Sequence, residues 1–173
     1  MAAARKLLFP CFGAFVALSA PAARAAGGVC ALVQDSKDPA LRAMQCDGER
    51  VAVREEPGAR YALDPAEPPT RLRLDAGALM VEFHPGSKPA GFEVLTPIAI
   101  AAVRGTKWVV DAQPGGTSVF VIAGRVAVTR AAGGVEAVLH RGDGVDVAAG
   151  TDPLTVNRWK HGRVRALLAR FGL

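Results

Sequence analysis

The sequence is poor in residues that usually carry chemistry, because it has only three histidines, three cysteines and a 6% share of aromatic residues. His84, His140 and His161 stand far apart, and none has a second histidine or a glutamate at the spacing of metal ligands. A metal centre built on clustered histidines is therefore excluded. We expect neither a metal nor any other cofactor.

Arrangements for nucleophilic and acid–base catalysis are also missing. Ser36, Ser87 and Ser118 lie outside any nucleophile-elbow pattern, and no glycine-rich loop leads into a helix to hold a phosphate. The sequence predicts a protein that is not an enzyme, with a small hydrolase as the alternative. Glycoside hydrolysis needs two facing carboxylates, and spacing selects no pair among the four candidates. These are Glu82, Glu93, Asp111 and Asp146.

Long apolar runs are scarce, and the one near the start is too short to span a bilayer comfortably. Arg5 and Lys6 precede the apolar stretch Leu7 to Leu18, and Ala23-Arg24-Ala25 fits an export cleavage site. We expect residues 1–25 to be a signal peptide removed near Ala25, which makes the protein periplasmic or secreted; a retained membrane anchor is the alternative. Three of the 21 basic residues leave with it, so 18 remain against 16 acidic residues. This weak net charge gives no support to nucleic-acid binding.

Two of the three cysteines remain after that cleavage, since Cys11 is lost with the leader. In an oxidising compartment Cys30 and Cys46 are expected to form a disulfide. Closing a loop of this length stabilises a domain by roughly 3 kcal/mol in the chain-entropy model.

Glycine and proline are abundant, with 19 and 12 residues, and this composition favours short strands joined by tight turns. It excludes a helical bundle. Gly105, Gly124 and Gly142 follow one another at intervals of 19 and 18 residues, as in a β-sandwich, a jelly roll or a β-solenoid. We expect turns at Gly77 and Gly124, and one β domain over residues 26–156.

The run from Phe92 to Asp111 predicts two strands that meet where an arginine and a glycine interrupt apolar residues. Arg104 falls on the same strand face as the apolar residues two, four and six positions earlier. We expect its guanidinium to bind a carboxylate such as Asp111 or Glu93, or turn carbonyls, and Gly105 to form a β-bulge. A recognition surface for a partner strand is the alternative.

This stretch also carries a family resemblance. Thr96-Pro97 leads through small apolar residues to Arg104-Gly105-Thr106, and Thr117-Ser-Val-Phe-Val-Ile-Ala-Gly124-Arg-Val126 follows. The pattern resembles the signature of the FecR domain and extends roughly from Leu74 to Val147. The resemblance favours a jelly-roll-like β-sandwich over a solenoid. It implies a structural role for the motif residues Thr96, Pro97, Arg104, Gly105, Thr106 and Gly124.

The resemblance implies a non-enzymatic module of envelope proteins. Well-known members of the family pass a signal from an outer-membrane transporter to a sigma factor through a membrane-spanning segment. After the leader, this sequence has no apolar run of spanning length. We therefore expect a FecR-like binding or scaffolding module that engages another envelope protein in signalling or assembly. The alternatives are association with anionic lipid or polymer, and an anti-sigma or iron-uptake regulator.

Residues 157–173 predict a basic amphipathic helix that begins at Asn157 and stops at Gly172. Its apolar face is expected to pack on the β domain, with its arginines solvated. The alternative is that it docks on an anionic membrane surface or on a partner protein. The residues of this possible interaction surface are Arg158, Trp159, Lys160, Arg163, Arg165 and Arg170.

Overall fold

The computed structural model describes residues 30–34, 41–46, 49–64, 70–83 and 91–173, without the side chains of residues 44–46, 49–50 and 104–106. This part is all-β with one short helix at its end. The strands are β1 (Cys30–Gln34), β2 (Leu41–Cys46), β3 (Glu49–Glu55), β4 (Arg60–Asp64), β5 (Thr70–Phe83), β6 (Phe92–Leu95), β7 (Ala99–Gln113), β8 (Gly116–Arg130), β9 (Ala137–His140), β10 (Asp143–Ala148) and β11 (Val156–Arg158), followed by helix α1 (His161–Ala169).

Three long strands, β5, β7 and β8, connect two layers of one hydrogen-bonded sheet. Their halves pair with different neighbours: the first residues of β5 pair with β4 and β6, and its last residues pair with β3 and β7. The first layer has the order β1-β2-β3-β5-β7-β8-β10-β11, and the second has the order β4-β5-β6-β7-β8-β9. Side chains from both layers form one core. The expected all-β sandwich is confirmed.

Each long strand changes the face it turns to the core as it passes between the layers. In β5 the core residues have even numbers before Gly77 and odd numbers after it, whereas β7 and β8 change from odd to even. In β7 the change coincides with a shift in the pairing register between Arg104 and Lys107, and in β8 it surrounds Gly124. Side chains alternate along a strand, so an irregularity at the bend is needed to keep apolar residues inside both layers. The core residues beside these bends are Leu72, Leu74, Leu79 and Val81 in β5; Ala101, Val103, Trp108 and Val110 in β7; and Val119, Val121, Val126 and Val128 in β8.

The prediction of turns at Gly77 and Gly124 is wrong, because both glycines lie inside continuous strands. Their φ angles of 84° and 85° bend the strand without ending its pairing, a conformation that glycine adopts at little cost. The bulge expected near Gly105 is confirmed by the register shift in β7. Gly142 lies in a turn between β9 and β10, with φ 83°.

Before its bend, β7 turns to the core the face opposite to the one that carries Arg104. Ala99, Ala101 and Val103 lie in the core, while Ile98 and Ile100 are half-buried on the outer side. Alternation identified two faces correctly but not which one the second layer covers, since both are apolar.

Helix α1 packs on the outer face of the first layer, which confirms the packing interpretation of its apolar side. A second apolar cluster joins this sheet face to the helix. Leu167 and Phe171 of the tail are buried there, with exposed fractions of 7% and 5%. The sheet contributes Ala78, Met80, Val109 and Phe120 to the cluster.

The predicted start of the helix at Asn157 is wrong. Asn157 and Arg158 pair with Gly144 and Asp143 in the β10–β11 ladder, so their backbone is extended. The helix begins at His161 after Lys160, whose side chain makes no capping bond. Its predicted end is confirmed: Gly172 has φ 73°, its N–H donates to Ala169, and the next N–H donates to Leu168, which is a Schellman motif. In the described ranges, the helical structure includes no segment with the length and hydrophobicity needed to span a bilayer.

The bend of β5 gives a test of the architecture. A Cβ at Gly77 would lie 2.8 Å from the Cα of Ala59, whereas a Cβ at Gly58 meets nothing within 4 Å; both glycines have positive φ. Gly58→Ala is expected to lower the free energy of unfolding by about 1 kcal/mol because of φ alone. Gly77→Ala adds a backbone clash and is expected to cost about 1–3 kcal/mol more. Urea denaturation measures both values, and equal losses would contradict the close approach of β5 to Ala59.

Candidate functional site

Arg170 anchors the C-terminal tail to the first layer. Its Nε lies 2.7 Å from Glu56 Oε1, and its Nη2 lies 2.7 Å from Glu56 Oε2. The remaining edge of the guanidinium donates to both carboxylate oxygens of Asp111, at 2.5 and 3.0 Å. Hydrogen bonds to Glu56, then those to Asp111, hold the pKa of Arg170 above its ordinary value. A planar guanidinium satisfies two carboxylates in this way, and an ammonium does not.

The two carboxylates of this anchor are themselves fixed by the sheet. Glu56 Oε2 accepts a hydrogen bond from the backbone N–H of Ala78 at 3.0 Å, and Asp111 Oδ1 accepts one from Gln113 Nε2 at 2.6 Å. Asp111 is buried. The Arg170 site is thus an acidic socket that binds one cation from the tail. Glu56, just after β3, and Asp111 of β7 form this socket.

Trp159 forms a second point of attachment. Its ring stacks on Phe120 with centroids 5.2 Å apart and an interplanar angle of 19°. Gly144, the cross-strand partner of Phe120, leaves the space for the indole, because a Cβ there would lie 2.3 Å from the ring. The guanidinium carbon of Arg163 lies 3.4 Å from the indole centroid, a cation–π contact.

Arg163 also ties α1 to β8 and β10. Its Nη1 donates to Asp146 Oδ2 at 2.8 Å, its Nη2 donates to Asp146 Oδ1, and Ser118 Oγ donates to the same oxygen at 2.6 Å. These hydrogen bonds, that from Arg163 first, lower the pKa of Asp146 against the opposing effect of burial. Arg158 makes a similar bridge to Asp143, at 3.1 Å.

An open cleft lies between α1 and the β10–β11 end of the first layer. We call it the Trp159 cleft; its volume is about 900 Å³. Phe120, Trp159 and Leu168 line it with apolar surface, and Arg158, Lys160 and Arg165 line it with positive charge. In the described residues, the side chains of Lys160 and Arg165 have no hydrogen-bond or ion-pair partner, and both are exposed. The lining contains no aspartate or glutamate side chain.

A second surface lies on the outer side of the second layer and ends at β9. We call it the β9 surface; it is a row of aligned residues on neighbouring strands, Glu93, Ala102, Ala127 and Val138. A cavity of about 490 Å³ opens along it, also lined by Arg125 and Glu136. Strand β9 pairs with β8 on one side, and no described strand pairs with its other side.

The family-motif residues fall at a strand connection and not at a cleft. Thr96 is buried; its Oγ1 accepts a hydrogen bond from the N–H of Ala99 at 2.9 Å and lies 2.8 Å from Thr117 Oγ1. Pro97 occupies the exposed bend between β6 and β7. Thr96 thus closes this connection and joins it to the start of β8.

The side chains of Arg104, Gly105 and Thr106 lie outside the described residues, so the expected ion pair of Arg104 stays a prediction. Both carboxylates proposed for it have other arginine partners: Asp111 binds Arg170, and Glu93 binds Arg71 at 3.0 Å. The arginine bound to two carboxylates that the structure does describe is therefore on the tail. Nothing in the spacing of Glu56, Asp111 and Arg170 signals this, because they are 59 and 114 positions apart.

The remaining predicted positions lie in the β1–β2 ladder, at the surface or outside the described residues. Cys30 is directly opposite Cys46 in the β1–β2 ladder. Opposed Cα atoms in antiparallel strands are about 4.5–5.5 Å apart, within the range that a disulfide spans, and the bond stays a prediction. The backbone N–H of His140 donates to Asp143, and His161 lines the Trp159 cleft. His84 lies outside the described residues.

The fold and its attached helix define an all-β sandwich domain, and comparison with known proteins gives its family. Residues 43–127 match the model described as FecR protein, so this segment is a FecR domain and the predicted resemblance is confirmed. The match begins in β2 and ends in β8. No curated protein matches the chain.

Two crystal structures from Parabacteroides distasonis ATCC 8503, each provisionally described as an anti-sigma factor, share this fold. The first has a TM-score of 0.54 and 18% identity, and the second has a TM-score of 0.50 and 16% identity. Each alignment covers 82% of this chain and 61% of the other. The chain thus spans about three fifths of the length of those structures. At these identities the likeness shows the fold alone.

The Arg170 anchor can be tested by Arg170→Lys. A lysine ammonium cannot reach both carboxylates with parallel hydrogen bonds, so the free energy of unfolding is expected to fall by about 2 kcal/mol. Arg165→Lys, on the same helix but exposed and without a partner, is the matched control and is expected to have no measurable effect. Urea denaturation compares the two variants. An Arg170→Lys protein as stable as the control would show that the anchor contributes nothing.

The Asp146–Arg163 pair predicts a pH dependence. Because the folded pKa of Asp146 is lowered, the pair stabilises the fold above the unfolded carboxyl pKa of about 3.9 and ceases to do so as pH falls through the folded pKa. The melting temperature of wild type should therefore exceed that of Asp146→Asn at pH 7, and the difference should shrink towards pH 3. Asp152→Asn changes an exposed carboxylate and is the control, with a difference that stays flat. A pH-independent difference for Asp146→Asn would refute the linkage.

Proposed function

We propose that this protein is an exported FecR-domain module that binds another envelope protein in signalling or assembly and catalyses no reaction. The FecR domain and a fold shared with proteins described as anti-sigma factors support a signalling-regulator module. The envelope location, periplasmic or secreted, rests on the export signal expected in residues 1–25. Engagement of a protein partner rests on the β9 surface.

The binding proposal rests on a difference between the outer faces of the two layers: one is covered by a helix and the other is not covered by any described helix. Helix α1 covers the apolar strip on the first layer. Among the described residues, no helix lies on the β9 surface of the second layer, and Val138 at its edge is 41% exposed. An exposed strand edge is the arrangement that accepts an added strand from a partner.

The free edge of β9 has a defined orientation. The N–H of His140 donates to the side chain of Asp143 and so points away from β8. Backbone groups of a strand alternate in direction, which places the N–H and C=O of Val138 on the same open side. A partner strand would bond to Val138 and extend the outer face of the second layer beyond β9.

The absence of catalysis is proposed from the state of the four carboxylates that could have served a hydrolase. Each has a basic partner: Glu82 lies 2.8 Å from Lys107, Glu93 binds Arg71, Asp111 binds Arg170, and Asp146 binds Arg163. Ion pairs of this kind hold carboxylates in structural roles within the sheet.

A second candidate function is a sigma-regulator component of the kind that iron-uptake signalling uses. The two structures described as anti-sigma factors favour it as fold relatives. An adjacent sigma-factor or transporter gene in the genome would favour this candidate over assembly of an envelope complex.

Strand addition is tested by Val138→Pro. Proline removes the outward N–H of β9 and blocks a partner strand, but the bonds from β9 to β8 remain. Crosslinking the exported protein in its own envelope should then lose the species captured by wild type. Val135→Pro is the control, because Val135 is 83% exposed and precedes the strand. If Val138→Pro folds normally and captures the same species, the β9 surface is not the binding site.

A further inference from the structure

We propose that the Trp159 cleft is a membrane-docking site that takes the headgroup of an anionic phospholipid at its basic rim. The proposal concerns residues other than the β9 surface and goes beyond protein binding. It starts from the tail, whose apolar face is already occupied by the sheet. The helix cannot therefore enter a bilayer by the face that the sequence predicted, and any lipid contact must use the residues that remain exposed.

The exposed residues of the cleft supply the positive charge. His161 and Arg165 lie one turn apart on α1 and so share a face, and Lys160, which precedes α1, lines the same cleft. The side chains of Lys160 and Arg165 have no partner in the described part of the chain. In contrast, Arg163 and Arg170 are bound to carboxylates of the sheet. The tail thus has two arginines that anchor it to the sheet, Arg163 and Arg170. Its basic rim, Lys160, His161 and Arg165, is exposed to solvent.

The same cleft supplies apolar surface next to that charge. Leu168 follows Arg165 by one turn, and Leu173 lines the cleft while it remains 58% exposed. Phe120 and Trp159 form its floor. An anionic headgroup held by Lys160 and Arg165 would place the first methylenes of its chains on these residues. Charge attraction combined with shallow apolar burial is the combination that holds proteins at a lipid interface.

Charge complementarity favours an anionic occupant over a neutral one. The lining has no aspartate or glutamate side chain that would repel a phosphate. The nearest acidic groups described, Asp143 and Asp146, are paired with Arg158 and Arg163. The floor is also fixed before any ligand arrives, because Trp159 is held by Phe120, Arg163 and the space above Gly144. A site built in advance loses little entropy on binding.

Tryptophan fluorescence can report lipid binding at the Trp159 cleft. It has two tryptophans: Trp108 is fully buried in the core, and Trp159 lines the cleft. Residues 1–29 contain no tryptophan, so any binding through the expected leader leaves the signal unchanged. The full chain is titrated with phosphatidylglycerol vesicles, with phosphatidylcholine vesicles, and with inorganic phosphate at matched ionic strength. The expected result is a blue shift of Trp159 emission with the anionic vesicles alone, reversed by high salt.

The paired variant Lys160→Gln with Arg165→Gln tests the rim. Each basic residue near an anionic surface contributes about fivefold, so affinity for the anionic vesicles should fall by roughly 20-fold or more. The matched control is Arg60→Gln with Arg73→Gln, which removes the same charge from exposed positions outside the cleft and should bind as wild type does. Leu173→Ala should weaken binding severalfold through lost apolar contact. Melting curves check that the variants fold. Folding is expected because the substituted charged side chains are exposed and have no partner among the described residues.

Several outcomes would overturn the proposal. An equal response to phosphatidylcholine vesicles would remove the role of charge, and a full response to inorganic phosphate would identify a small-anion site instead of a membrane site. Equal loss in the rim variant and its control would show a general charge effect. No response to any vesicle would leave the cleft to a peptide partner. Capture through β9 is measured separately, so it can fail or succeed independently.

Discussion

The contact between Arg170 and the carboxylates of Glu56 and Asp111 determines how the rest of the molecule is arranged. It joins the tail to Asp111 near the end of β7, 59 residues earlier, and to Glu56 just after β3, 114 residues earlier. Two carboxylates this close to each other on a sheet face would repel without a cation between them. Because the arginine that neutralises them comes from the tail, the position of α1, and with it the position of Trp159, follows from the charge balance of the sheet.

The bends in the three long strands explain why this sheet face exists. Each strand crosses from one layer to the other. At an irregularity, its core residues change from even to odd numbers or from odd to even numbers. After the bend, Ala78, Met80 and Val109 turn outward and form an apolar strip. That strip requires a cover, and α1 supplies it. The same change on the second layer leaves Ala102 and Ala127 outside with no covering element described, which is why the β9 surface is available to a partner.

The sequence predicted those features that depend on local pattern. Alternation and glycine content indicated an all-β sandwich, Gly105 marked the bulge region, and Gly172 marked the end of the helix. The errors arose where distant contacts decide the result. Gly77 and Gly124 look like turns because positive φ serves turns and strand bends equally. Asn157 is a good cap by composition, but the ladder with Gly144 was available and kept it extended. The partner of Asp111 could not be found from spacing, since any of many arginines satisfies it equally well.

The matched family segment ends before β9 and α1, the elements that border the two candidate surfaces. Residues 43–127 contain Thr96, which closes the β6–β7 connection, and the acidic socket of Glu56 and Asp111. Strand β9 and helix α1 lie after that segment. The family pattern therefore accounts for a scaffold and for the socket that receives the tail. The chemistry exposed to solvent, a free strand edge and a basic cleft, comes from the residues that follow. Exposed positions after residue 127 can vary without disturbing the core, whereas Val128, Leu139, Val145 and Val147 are buried in it and close the sandwich together with β5 and β7.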